Sequence, residues 1–179
     1  MAHRLATLVT GASSGIGAAL AASFAREPSR VLILVARRTA PMHALADELK
    51  TRYGTESQVI EADLEVPGAA TKLLAQIDQL GLSVDTLINN AGFGLNGPLH
   101  EMPLARVSGM LQLNITALTE LTHGVLPAMR ARRSGRILNV ASIAAFQPCP
   151  NFAAYGASKA YVMSFSEALA IEVETSGIT

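Results

Sequence analysis

The stretch Thr10-Gly11-Ala12-Ser13-Ser14-Gly15-Ile16-Gly17 lies between an apolar run and a segment of helical periodicity. Glycines let a chain turn tightly at such a place, and the helix that follows offers free N–H groups and a positive dipole end to an anion. The G-x-x-x-G-x-G spacing differs from the G-x-G-x-x-G of the common dinucleotide fingerprint. The stretch therefore predicts a phosphate site at the start of a helix. Glycines that serve only a tight loop are the alternative.

Short apolar runs alternate with longer segments of helical period along the chain. The runs are continuous, as in Val-Leu-Ile-Leu-Val at 31–35, which is typical of parallel strands covered on both faces. We predict strands at residues 5–10, 31–35, 58–60, 84–89 and 136–141, and helices at 16–26, 41–52, 67–80, 103–130 and 152–175. This alternation predicts an α/β fold, a doubly wound parallel sheet, with residues 1–179 in a single domain.

The composition argues against several classes of protein. Half of the 179 residues are apolar and 16% are charged, which is not the composition of a disordered chain. Fourteen basic residues balance fourteen acidic ones, whereas a nucleic-acid-binding domain normally carries a basic excess. A lone cysteine, Cys149, has no partner for an internal disulfide, which fits a reducing cytoplasm. We expect no nucleic-acid partner and a cytoplasmic location.

We also expect no membrane partner. No apolar run approaches the ~20 residues that a spanning helix needs. The N-terminal region could imitate a signal peptide, but Gly11, Gly15 and Gly17 interrupt the position of its apolar core.

Two arginines stand where the second predicted strand ends, in the order Val35-Ala36-Arg37-Arg38. In many dinucleotide-binding folds this strand ends in a carboxylate that binds the ribose 2′-hydroxyl of NAD. Guanidinium groups can instead hold a 2′-phosphate in a bidentate manner. The pair therefore favours NADP(H). Two solvated arginines ahead of a helix are the alternative.

A phenol and an ammonium are spaced to share one face of the fifth predicted helix. Tyr155 and Lys159 stand at positions i and i+4, which are neighbours on a helix surface. Ser142 follows one predicted strand, and residues 89–92 (Asn-Asn-Ala-Gly) follow another. Ligands of open α/β sheets bind outside the carboxyl ends of the strands. We therefore expect these segments and the glycine-rich turn to converge on one site.

Together these motifs resemble the short-chain dehydrogenase/reductase family over essentially the whole chain. Residues 10–17 correspond to the family's TGxxxGxG motif, residues 89–92 to its NNAG motif, and Tyr155 and Lys159 to its YxxxK motif. The resemblance implies a Rossmann-like sheet of strand order 3-2-1-4-5. It also implies an NADP(H)-dependent oxidoreductase that interconverts a ketone or aldehyde and an alcohol.

The resemblance further implies which residues form the site. The implied catalytic residues are Asn114, Ser142, Tyr155 and Lys159. The implied cofactor-binding residues, which include the two arginines, are Gly11, Ser13, Ser14, Gly15, Ile16, Gly17, Arg37, Arg38, Asp63, Leu64, Asn90, Ala91, Gly92, Tyr155 and Lys159.

Each implied catalytic residue has an implied role. Tyr155 is the general acid in reduction and the general base in oxidation. Ser142 stabilises charge on the substrate oxygen, and Lys159 holds the nicotinamide ribose. Asn114 anchors a water relay that leads to Lys159. The hydride chemistry itself belongs to the cofactor.

Other functions remain open from the residues alone. An epimerase or dehydratase that keeps its nicotinamide usually shows TGxxGxxG and a longer substrate domain. A non-catalytic nucleotide-binding or oligomerising module, or an inactive fragment of a reductase, is the alternative from another class. Such a module has no need of Tyr155. The four histidines show no metal-ligand spacing, so we predict no metal site.

The last two predicted helices suggest that the protein assembles from several copies of the chain. Their faces away from the sheet are expected to keep apolar residues such as Met110, Leu121, Val162 and Leu169. In the resembling family the corresponding helices pack between subunits, which implies a homodimer or homotetramer.

The last residues suggest that the chain stops in mid-fold. Gly177 is a plausible helix end, and Ile178 and Thr179 look like the start of another strand. Members of the resembling family usually continue through two more strands and a loop that covers the substrate. We therefore expect strand 136–141 to keep an open edge and residues 1–179 alone to be a weak or inactive reductase.

Overall fold

Five parallel strands form one sheet in the computed structural model, which describes residues 3–27 and 30–179. The strands are β1 (Arg4–Thr10), β2 (Val31–Ala36), β3 (Ser57–Glu61), β4 (Leu82–Asn89) and β5 (Arg136–Asn139). Their order is β3-β2-β1-β4-β5, and each neighbouring pair is parallel. The predicted doubly wound, Rossmann-like sheet and its strand order are confirmed.

The central strands are buried on both faces because successive side chains of a strand point to opposite sides. Ile33 and Val35 of β2 pack in one apolar cluster, whereas Leu32 and Leu34 pack in the other. A strand with two dry faces has no position for a solvated side chain, which is why its sequence is continuously apolar.

Helices cover both faces of the sheet. They are α1 (Gly15–Phe24), α2 (Thr39–Tyr53), α3 (Ala69–Gln79), α4 (Leu104–Leu111), α5 (Leu118–Arg132) and α6 (Ala153–Val173). Residues of α1 and α2, such as Ala21 and Leu49, pack with Leu32 and Leu34. Residues of α3 and α5, such as Leu73 and Leu121, pack in the opposite cluster.

The predicted helix at 103–130 is not one regular helix. A π-helical segment, Gln112–Ala117, separates α4 from α5. Segments of this kind often mark functional sites, and this one carries the buried Asn114. Periodicity did not reveal it, because an extra residue in one turn only shifts the phase of an apolar pattern.

Other boundaries differ from the prediction by one or two residues; β4, for example, begins at Leu82 rather than at residue 84. Gly68, in a left-handed conformation (φ 78°), delays the start of α3 to Ala69. β5 ends at Asn139, short of residue 141, because a short 3-10 helix, Ile143–Ala145, begins after Ser142. The last α-helix ends at Val173, before a 3-10 turn.

The expectation about apolar helix faces was wrong for three of its four residues. Met110, Leu121 and Val162 are buried inside the chain, with at most 1% of each residue exposed. Leu169 is half-buried against the same cluster as Leu121. Helix α5 packs on β4 and α4 packs against α6, so these side chains are covered within the chain.

The last two residues pair with β5. Ile178 forms a parallel bridge with Gly135, and the Ile137 N–H donates to the Thr179 carbonyl at 2.8 Å. These two residues therefore lie beside the start of β5, so this end of its edge is paired rather than open. Farther along this strand, Leu138 is 41% exposed.

Within residues 3–27 and 30–179, no helix combines the length and apolar character needed to cross a membrane. The same residues contain no group of three or more histidine, cysteine or acidic side chains placed to hold a metal ion.

Candidate active site

A cleft of about 490 Å³ lies at the carboxyl ends of the strands. Segments that follow all five strands contribute to it, so most of the predicted site residues meet there. Its predicted lining residues are Gly11, Ser13, Ser14, Ile16, Arg37, Arg38, Asp63, Leu64, Asn90, Ala91, Gly92, Tyr155 and Lys159. Four predicted residues lie outside the lining, namely Gly15, Gly17, Asn114 and Ser142.

The glycines of the turn have different functions in the fold. Gly11 has a left-handed backbone (φ 68°), which favours glycine. A Cβ atom on Gly17 would collide with the Gly11 carbonyl and would lie 2.5 Å from Asn90 Nδ2. Gly17 therefore permits the close approach of α1 to the turn, although it does not itself face the cleft.

The glycine-rich turn is joined to the end of β4 by hydrogen bonds. Thr10 Oγ1 accepts from the N–H groups of Asn90 and Ala91, both at 3.0 Å. The Asn90 side chain donates in return to the Thr10 carbonyl at 2.9 Å. Asn90 thus holds two walls of the cleft together, so its amide is engaged within the protein.

Lys159 is a buried cation whose position is fixed by β5. Only 5% of the residue is exposed, and its Nζ donates to the Val140 carbonyl at 2.7 Å. Burial lowers the pKa of the Lys159 ammonium from its ordinary value of 10.5. Both residues line the cleft, so the bond holds this charge at the cleft wall.

Tyr155 lies one turn before Lys159 on α6. Its ring packs against Gly94, where a Cβ atom would be 3.2 Å from the ring. The ring centroid of Phe152 lies 5.9 Å away. The structure therefore brings Tyr155 and Lys159 to one end of the cleft.

Asn114 ties the π-helical segment to both neighbouring walls. Its Nδ2 donates to the Phe93 carbonyl at 3.0 Å and to Ser158 Oγ at 3.1 Å, and its Oδ1 accepts from the Phe93 N–H at 3.2 Å. Ser158 Oγ in turn donates to the Tyr155 carbonyl at 2.7 Å. Both amide hydrogens of Asn114 are committed to positioning, and a water relay anchored at this residue stays a prediction.

Ser142 lies outside the cleft lining, at the start of the short 3-10 helix. Its Oγ accepts from the Ala144 N–H at 3.2 Å. Accepting this bond leaves the hydroxyl hydrogen free to donate to another oxygen.

The two arginines have different partners. Arg37 donates to Glu65 Oε1 at 2.6 Å, whereas Arg38 lies 3.4 Å from Ser14 Oγ. Glu65 also lines the cleft. Sequence reasoning missed it, although the adjacency of β2 and β3 in the predicted order brings residues that follow these strands together.

A chain of polar side chains that the sequence reasoning did not identify joins β4, β5 and α6. Asn89 Nδ2 donates to Thr122 Oγ1 at 3.1 Å and to Asn139 Oδ1 at 2.9 Å. Asn139 donates to Ser166 Oγ at 2.9 Å. Asn89 and Asn139 are register partners in the sheet, which places the two amides side by side. This chain helps to seat α6, which carries Tyr155 and Lys159, on the sheet.

The burial of Lys159 predicts a pH-dependent stability. Because its pKa is lowered on folding, the unfolded chain holds this proton to higher pH than the folded protein does. The comparison is between the free energies of unfolding of the parent and of Lys159→Met. The parent value minus the variant value is expected to rise as pH increases towards about 10.4. Urea unfolding across this range measures the difference. Lys72→Met, at an exposed site on α3, controls for the loss of a lysine. A difference that falls with pH would contradict the assignment.

Comparisons with known proteins place this architecture in a family. The family model described as short chain dehydrogenase matches residues 5–179. A short chain dehydrogenase of Pseudocercospora fijiensis is 38% identical over 174 residues, which are 96% of this chain and 55% of that protein.

Two solved structures show the same fold. A short-chain dehydrogenase from Sphingobium yanoikuyae in complex with NADPH has a TM-score of 0.89 and 36% identity, over 97% of this chain and 67% of the other. L-sorbose reductase from Gluconobacter frateurii, complexed with NADPH and L-sorbose, has a TM-score of 0.87 and 35% identity, over 99% and 67%.

The chain spans roughly half to two thirds of the length of the curated relatives it matches, from 51% to 69%. The family match nevertheless includes the glycine-rich turn, the Asn-Asn-Ala-Gly segment and the Tyr155–Lys159 pair. The chain therefore belongs to the short-chain dehydrogenase family, oxidoreductases that use a nicotinamide dinucleotide.

Proposed function

We propose that the protein is an NADP(H)-dependent oxidoreductase that interconverts a ketone or aldehyde and an alcohol, with Tyr155 as general acid and base. The observation that carries this proposal is the placement of Tyr155 and Lys159 on one turn of α6 at the end of the cleft. A nucleotide-binding module without catalysis would have no need of a phenol beside a buried ammonium.

The residues of the cleft fit a dinucleotide. The lining includes the glycine-rich turn, whose tight packing depends on the missing side chain of Gly17. Helix α1 begins directly at this turn, so its first N–H groups and its dipole favour a pyrophosphate there. A side chain at Gly17 would displace the turn and disturb the phosphate position.

Two features support the phosphorylated form of the cofactor. Arg37 and Arg38 line the cleft directly after β2, and guanidinium groups recognise phosphate by paired hydrogen bonds. The Sphingobium and Gluconobacter proteins were both solved with NADPH. We assign the two arginines to the 2′-phosphate.

In reduction, the Tyr155 hydroxyl donates a proton to the carbonyl oxygen of the substrate. A nicotinamide held in the cleft would supply the hydride. The Lys159 ammonium stabilises the phenolate that forms, and the Ser142 hydroxyl stabilises negative charge on the substrate oxygen. Because burial lowers the pKa of Lys159, its ammonium is also a better proton donor for restoring Tyr155.

Asn114 acts by positioning in this scheme. It binds the backbone of Phe93 on one side and Ser158 on the other, and Ser158 binds the Tyr155 carbonyl. In oxidation the same groups work in reverse, with Tyr155 accepting the proton of the alcohol.

Replacement of Tyr155 by phenylalanine tests the proposed acid. Tyr155→Phe is expected to retain NADPH binding but to lower turnover of small carbonyl substrates by about 10²-fold or more, because the transferable proton is lost. NADPH oxidation by the whole protein measures turnover, and fluorescence titration measures binding.

Tyr161→Phe is the matched control, because Tyr161 lies on the same helix and its hydroxyl contacts Thr119 rather than the cleft. This variant should keep the parental rate. A Tyr155→Phe protein that reduces carbonyl substrates as fast as the parent would refute the assignment of Tyr155 as the general acid.

The proposed phosphate contacts predict a change of cofactor preference. Replacing Arg37 with alanine and Arg38 with aspartate is expected to weaken NADPH binding far more than NADH binding, because the lost ion pairs and the new repulsion act on the 2′-phosphate. Fluorescence titration with both cofactors measures the two dissociation constants. Arg52→Ala removes an arginine with a 2.7 Å carboxylate partner on α2 and serves as control. Equal losses for both cofactors would reject the assignment.

Assembly as a homodimer or homotetramer remains a proposal. It is supported by the outer surface of α5 and α6, where Tyr161, 37% exposed, stacks on Phe165 with ring centroids 5.7 Å apart. Sedimentation of the whole protein at micromolar concentration is expected to show the oligomer. A monomer under those conditions would contradict this proposal.

A further inference from the structure

Glu65 lies between two guanidinium groups beside the cleft. Its Oε1 accepts from Arg37 at 2.6 Å, and its Oε2 lies 3.8 Å from Arg106 on α4. The Glu65 side chain is only 15% exposed, whereas those of Arg37 and Arg106 are 60% and 56% exposed. The carboxylate is thus the fixed member of the group, and the arginines are its more solvated partners.

The local structure explains why Glu65 is held in place. Its N–H donates to Asp63 Oδ1 at 3.0 Å, which fixes the turn after β3. Gly109 on α4 leaves room for the carboxylate, since a Cβ atom there would be 3.0 Å from Oε2. Arg106 stands one turn earlier on α4 and also stacks over the Phe93 ring, 5.0 Å from its centroid.

We propose that Glu65 is a built-in counter-ion that weakens discrimination between the two cofactors by competing with the 2′-phosphate for Arg37. The proposal rests on the assignment of Arg37 and Arg38 to that phosphate. Arg37 must leave or share its bond with Glu65 in order to bind the phosphate. Arg38, whose contact is the neutral Ser14 hydroxyl, has no such competitor among these contacts.

The direction of the effect follows from the charges of Glu65, Arg37 and the phosphate. When the 2′-phosphate binds, opening or sharing the Arg37–Glu65 ion pair costs free energy, and this cost raises the free energy of the NADPH-bound state. NADH lacks this phosphate, and its pyrophosphate binds at the glycine-rich turn. Glu65 therefore penalises NADPH more than NADH.

Glu65→Gln tests the proposal because it keeps the side-chain shape and removes the charge. The dissociation constant of NADPH is expected to fall by about three- to tenfold, while that of NADH changes by less than about twofold. Fluorescence titration of the whole protein with each cofactor gives both values and needs no turnover.

Glu48→Gln is the matched control. Glu48 pairs with Arg52 at 2.7 Å on the surface of α2, so its replacement also removes one negative charge and one carboxylate–arginine contact. Neither dissociation constant should change by more than about twofold in this variant, because an exposed charge at a distance is screened.

Arg37→Ala, alone and combined with Glu65→Gln, separates the two proposals. Arg37→Ala alone should lower the preference for NADPH, and Glu65→Gln should then have little further effect, because the pair is coupled. If Arg37→Ala leaves the preference unchanged, the phosphate assignment of Arg37 fails. If it lowers the preference but Glu65→Gln alone does not raise it, the counter-ion proposal fails by itself. Weaker NADPH binding in Glu65→Gln would mean that Glu65 positions Arg37 and would also overturn the proposal.

Discussion

The bond from the buried Lys159 ammonium to the Val140 carbonyl is the interaction on which the site depends. A buried ammonium is costly unless it has an acceptor, and the first carbonyl after β5 provides one at 2.7 Å. The bond fixes α6 against the end of β5 at Lys159. Tyr155, one turn away, is held by the same helix and by Ser158, which Asn114 connects to the loop after β4.

The two ends of the cleft share that loop. At one end, Asn114 binds the backbone of Phe93 through both its amide nitrogen and its amide oxygen. Toward the other end, Arg106 covers the Phe93 ring and contacts Glu65, which pairs with Arg37. The proposed proton-transfer residues and the proposed phosphate-binding residues therefore rest on one continuous set of contacts. A change in the charge at Arg37 has a physical route to Phe93, through a carboxylate and a second guanidinium.

Much of this arrangement follows from local patterns in the sequence. The continuous apolar run of β2 requires a strand with two dry faces, and the i, i+4 spacing places Tyr155 and Lys159 on one helix face. Contacts that depend on the distance between elements do not leave such a pattern. Arg37 and Glu65 are 28 residues apart; the adjacency of β2 and β3 brings them near each other, but their pairing depends on the course of the turns after the two strands. The burial of Met110 likewise depends on the packing of α4 against α6, which periodicity does not contain.

The central claim is that Tyr155 transfers a proton at the end of a dinucleotide cleft that begins at Arg37. The most direct measurement is a crystal structure of the whole protein with NADP⁺ and a substrate-like alcohol. The account predicts that the 2′-phosphate contacts Arg37 and Arg38. It also predicts that the Tyr155 hydroxyl lies within about 3.2 Å of the alcohol oxygen. A dinucleotide bound elsewhere, or an alcohol oxygen out of reach of Tyr155 while Lys159 holds Val140, would contradict it.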